Sequence, residues 1–145
     1  MKNPPSRPTI LHEDEHARRL LAIAIARQAT RFVSSAATSR ITLTESQLKD
    51  GMKSRIVGKE GRNARVFEER SGTDLLMNDE PESVVISSFD PFRREVARTA
   101  LEILIRDGRI QPAKIEESIE EARKQVDAQA REAAAQAVRE LGLSG

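Results

Sequence analysis

The chain has 145 residues, 38% of them hydrophobic and 32% charged, with a formal net charge of +1; that length supports one compact domain with some appended structure, and any basic surface has to be local. Cysteine is absent, which excludes disulfides and thiolate metal sites. Tryptophan and tyrosine are absent and phenylalanine occurs only four times, so aromatic platforms for stacking bases are hard to build.

Residues 1–37 open with Pro4, Pro5 and Pro8 and continue into an amphipathic helix from about Glu13 to Ser34, with Leu20, Leu21, Ile23, Ala24, Ile25, Gln28 and Phe32 on its broad apolar face. Residues 38–111 alternate element types. Thr38 to Leu43 reads as a strand, with Ile41 and Leu43 two apart. Gln47 to Val57 reads as a short helix, interrupted by Gly58 and Gly61. Arg62 to Ser71 is a second helix, ended by Gly72. Asp74 to Asn78 and Ser83 to Ser87 are strand candidates joined by a turn around Asp79-Glu80-Pro81. Asp90-Pro91 opens a third helix as N-cap and first helical residue, and Gly108 stops it. The order is β-α-α-β-β-α.

Residues 112–145 read as one long helix that begins at Pro112. Ile115, Ile119, Ala122 and Val126 recur at helical spacing, and the stripe then thins to Ala130, Ala133 and Ala137. Such a stripe leans on another surface rather than forming a strong coiled coil alone. The expected architecture is α+β: a three-stranded antiparallel sheet packed on helices, flanked by an N-terminal and a long C-terminal helix.

The informative stretch is Met52 to Asn63. Two glycines bracket a tight link between helices, where missing side chains permit unusual backbone angles and close approach of a ligand backbone. The link opens the helix at Arg62, and free N–H groups at such an end favour a phosphate. From 52 to 70 the chain carries six Lys and Arg (53, 55, 59, 62, 65 and 70) against three Glu, a local +3 on a nearly neutral chain. The candidate binding residues are Gly58, Lys59, Glu60 and Gly61, with Lys53, Arg55, Arg62 and Arg65 as surrounding cations. Ile56 and Val57, with Leu76 across from them, are expected to form an aliphatic groove for bases. A strand with free base edges, single-stranded RNA, is the expected partner.

With Phe89 to Arg98 and Asp107 to Glu116, residues 52–63 resemble the KH domain of ribonuclease Y, three blocks in the family's order and a likeness over roughly residues 17–140. The resemblance implies a type I KH fold and RNA binding at Gly58, Lys59, Glu60 and Gly61. That family is a membrane-anchored bacterial endoribonuclease of mRNA turnover, with a coiled coil before the KH domain and a metal-binding HD domain after it. The present sequence has neither an apolar run long enough for an anchor nor a His-Asp dipeptide. The expectation is therefore a cytoplasmic, non-catalytic RNA-binding chain with no cofactor and no membrane contact. The link Thr44 to Asp50 is slightly long for the family. Self-association through the two flanking helices is the alternative role.

His12-Glu13-Asp14-Glu15-His16 matches H-E-x-x-H, the zinc-hydrolase signature. These are the only two histidines, and they sit just after a proline-rich start. A solvated first helical turn, with its acidic residues well placed near the N-terminus, is the better reading. No catalytic or metal site is expected.

Overall fold

The computed structural model describes residues 15–22, 37–77 and 80–142. Residues 15–22 are helical (α1). They are followed by β1 (Thr38–Thr42), α2 (Glu45–Lys49), α3 (Met52–Val57), a 3-10 turn (Lys59–Gly61) and α4 (Arg62–Ser71). Then come β2 (Asp74–Leu76), β3 (Ser83–Ser87), α5 (Pro91–Asp107) and α6 (Pro112–Glu140). The remainder of the expected 13–34 helix lies outside the described residues.

The three strands form one antiparallel sheet in the order β1-β3-β2, with Ile41 opposite Val84 and Leu75 opposite Ile86. This sheet, with the β-α-α-β-β-α order around it, is the type I KH arrangement. Val84 and Ile86 point into the helical layer and are fully buried, as the alternation of a half-covered sheet requires. Val85 faces the other way, between Arg40 and Leu76 on the neighbouring strands.

Where one short helix was expected from Gln47, there are two. Thr44 caps α2 through a capping box: its hydroxyl accepts from Gln47 N and the Gln47 side chain accepts from Thr44 N. Gly51, at φ 70°, then turns the chain and starts α3. The extra length between β1 and α3 is this capped helical turn. β2 ends at Leu76, short of the expected Asn78.

Asp90 caps α5 as expected, its carboxylate accepting from Phe92 N and Arg93 N, with Pro91 in the first turn. Within α5, Arg94 is only 3% exposed and donates to Ser88 O, and burial lowers its pKa. Arg98 bridges Glu95 and Glu102, and the hydrogen bonds it donates to the Glu95 carboxylate are the largest cause of its raised pKa.

The long helix does lean on a surface, and that surface is the domain itself. Ile115, Ile119, Ala122, Val126 and Ala130 join one core cluster with Phe67 of α4, Leu101 and Leu104 of α5, and Ala17 and Leu21 of α1. Helix α6 therefore shares one hydrophobic core with α1, α4 and α5. Beyond Ala130 most of α6 is exposed. No helix among the described residues is long and apolar enough to cross a membrane.

Candidate nucleic-acid interface

The loop between α3 and α4 is shaped by backbone demands at three of its four residues. Gly58 takes φ 77° and ψ 172°, a region essentially reserved for glycine. Glu60 takes φ 59° and ψ 25°, and it is the only non-glycine with positive φ among the described residues. Gly61 follows at φ 72°. The amide of Gly61 donates back to Gly58 O, closing the turn. A left-handed glutamate costs roughly 1–2 kcal/mol, and the guanidinium of Arg65 offsets part of this by donating to Glu60 O at 2.7 Å.

Asn63 explains why Gly58 has to be glycine. Its side-chain amide donates to Arg55 O at 2.9 Å and to Ile110 O at 3.1 Å. It thereby ties the end of α3 to the segment that precedes α6. A Cβ on Gly58 would lie 2.8 Å from the Asn63 amide group. At Gly61 the space around a Cβ is empty, so only the backbone angle demands glycine there. The sequence reading did not single out Asn63. An amide in the second position of a helix that follows G-x-x-G was the available signal.

The loop opens α4, and no side chain caps that helix end. Its first-turn N–H groups and the positive end of the helix dipole therefore face outward beside the loop. Lys59, Glu60, Arg62 and Arg65 line one open depression of about 300 Å³, together with Val66 and Glu69 of α4. Lys59 and Arg62 are exposed and form no ion pair with any described residue. Such cations and an uncapped helix end suit a phosphate, and Glu60 and Glu69 oppose it.

Other expected site residues lie elsewhere. Arg55 donates to Gly108 O at 2.7 Å and Lys53 donates to Glu80 O at 2.9 Å, so each braces a turn outside the depression. Ile56 is 2% exposed and belongs to the core, which corrects its expected place on the groove surface. An apolar residue on the inner face of a helix this short has only the core to fill. Val57 is half-buried, and Leu76 on the edge strand β2 is 43% exposed. Among the described residues there is no cluster of metal-ligating side chains. His16 is exposed, and His12 lies outside the described residues.

No family model matches the chain. Individual proteins do. Ribonuclease Y of Desulforamulus reducens is 52% identical over 132 residues, which is 91% of this chain and 25% of that protein. Ribonuclease Y of Syntrophomonas wolfei is 48% identical over the same length and with the same shares. The Listeria monocytogenes protein is 48% identical over 130 residues, 90% of this chain and 24% of that one. The chain thus spans about a quarter of the length of the curated relatives it matches. Two solved structures show a weaker likeness. One is a protein of unknown function from Aeropyrum pernix (TM-score 0.46, 22% identity, 67% of this chain and 52% of that one). The other is Dim2p from Pyrococcus horikoshii (TM-score 0.43, 24% identity, 58% of this chain and 48% of that one).

Proposed function

We propose that this chain, the counterpart of a quarter-length region of ribonuclease Y, binds single-stranded RNA through the loop Gly58-Lys59-Glu60-Gly61. The observation that carries the reading is the loop itself. Two glycines at positive φ open a ten-residue helix with no side-chain cap, and two cations with no ion-pair partner among the described residues stand beside it. Backbone N–H groups there hold one or two phosphates, and Lys59 and Arg62 add charge. This grip does not read sequence. Bases are read, where they are read at all, by the edge strand β2 and by Val57 and Leu76. Cleavage of the bound RNA belongs to the part of ribonuclease Y that this chain does not match.

The test is a double substitution, Lys59→Asp with Glu60→Asp. Aspartate tolerates the left-handed conformation of residue 60 better than glutamate does, so the fold survives. The exchange puts two carboxylates in the loop and removes its lysine. Micromolar-range, salt-sensitive binding of the parent chain to short single strands should be lost in the variant. Equal binding by parent and variant refutes the reading.

A second reading, self-association through the flanking helices, draws on Val138 and Leu141, which stand exposed near the end of α6. Sedimentation at high concentration tests it, and a strict monomer counts against it.

A further inference from the structure

A second basic groove lies away from the loop, between α1, the start of α5 and α6. It encloses about 520 Å³, and its lining includes Arg18, Arg19, Arg93 and Arg123, with Asp90 as the one carboxylate. The guanidinium of Arg18 lies 4.9 Å over the Phe92 ring, which fixes one wall. Three of the four arginines have a carboxylate nearby, but only at the long end of ion pairing: Arg18 to Asp127 at 3.6 Å, Arg93 to Asp90 at 3.5 Å and Arg123 to Glu120 at 3.4 Å. Arg19 has no ion-pair partner among the described residues. Tighter pairs among the described residues lie outside this groove, as in Arg98 to Glu102 at 2.6 Å. Long, solvated pairs contribute about 0–1 kcal/mol each, so a phosphate can exchange into them.

The groove and the loop stand at opposite ends of α4. Arg93 packs against Gly72, the C-cap of α4, while the loop stands at the N-terminus of the same helix. A smaller depression between the C-terminal end of α4 and α6 adjoins the groove. Arg70 lines it, and it shares Arg123 with the arginine groove. Glu116, which pairs with Arg70 at 2.8 Å, and Glu120 also line it. α4 is ten residues long, about 15 Å. At a stacked spacing of about 3.4 Å per nucleotide, that is four or five nucleotides.

We infer that the Arg18-Arg19-Arg93-Arg123 groove is a second phosphate-binding site that takes the continuation of an RNA strand held at the loop. The inference rests on the loop reading. It makes this domain a two-point grip on RNA, one point at each end of α4, with the second insensitive to base sequence.

The experiment measures binding of a tetranucleotide and of a 16-nucleotide single-stranded RNA at several salt concentrations, using the full chain. A longer strand offers more binding registers, which raises affinity without steepening its salt dependence. The slope of log affinity against log salt is therefore the readout, at about 0.7 per phosphate contacted. Arg19→Ala with Arg123→Ala should flatten the 16-nucleotide slope by about 1.4 and the tetranucleotide slope by less. Arg19→Ala alone, at a residue with no ion-pair partner, guards against a folding defect and should lose about half as much. A control that removes the same charge elsewhere, Lys49→Ala with Arg106→Ala, should keep the parent slope. An unchanged slope in the double variant, or an equal loss in the control, overturns the inference. Failure of the parent chain to bind even the tetranucleotide is a separate result, which overturns the loop reading and this inference with it.

Discussion

The side-chain amide of Asn63 fills the space that a side chain at Gly58 would need, with its Cγ and Nδ2 atoms 2.8 Å from a Cβ there. The same amide holds Arg55 O and Ile110 O. The loop's conformation, the end of α3 and the entry to α6 therefore depend on one side chain. Gly58→Ala should destabilise the chain by about 1–3 kcal/mol, from backbone strain plus the clash. Asn63→Ala should cost a similar amount, because two carbonyls lose their donor. The double variant should cost less than the sum, since shortening Asn63 relieves part of the clash. Denaturant unfolding of the four proteins measures this coupling, and strict additivity would show that the two residues do not compete for space.

Gly61 provides the contrast. Its Cβ position is empty, so Gly61→Ala should cost only the left-handed penalty of about 1–2 kcal/mol. The same unfolding assay should rank it no more damaging than Gly58→Ala.

Glu60 is the strained residue of the loop. Glu60→Gly relieves a left-handed side chain and removes the one negative charge between the two glycines. We expect stability to hold or to rise by up to about 1 kcal/mol. We also expect RNA affinity to increase, with a steeper salt dependence. A fall in affinity would mean that the Glu60 carboxylate contacts the ligand directly.

Helix α6 belongs to the core over its first half and leaves it in the second. Ile119→Ala, at a buried position shared with α4 and α5, should cost about 2–5 kcal/mol. Val138→Ala, at an exposed position, should change stability by less than about 0.5 kcal/mol. Thermal melts of the two variants distinguish a helix built into the domain from one merely attached to it.

The element order was legible because its punctuation is chemical. Asp90-Pro91, Gly72 and Gly108 can each act in only a few ways, and the structure uses them as N-cap and C-caps. The capping box Thr44–Gln47 was equally present in the sequence. Its helix is hard to read because Glu45 to Lys49 carries a single apolar residue, Leu48, and so has no hydrophobic periodicity. Side-chain direction was the part that could not be read. Lys53, Arg55 and Arg65 all counted toward one basic patch. Their actual acceptors, Glu80 O, Gly108 O and Glu60 O, lie 27, 53 and 5 residues away in sequence. Only the folded chain brings those carbonyls near. The burial of Ile56 has the same origin, since which face of a six-residue helix turns inward is set by its neighbours.

The most direct measurement of the central claim is amide chemical-shift mapping on the full chain as a short single-stranded RNA is added. The account predicts that the largest shifts fall at Gly58 to Asn63 and in the first turn of α4, with smaller ones along β2. Shifts that leave residues 58–63 unmoved, while RNA binds elsewhere or not at all, would contradict it.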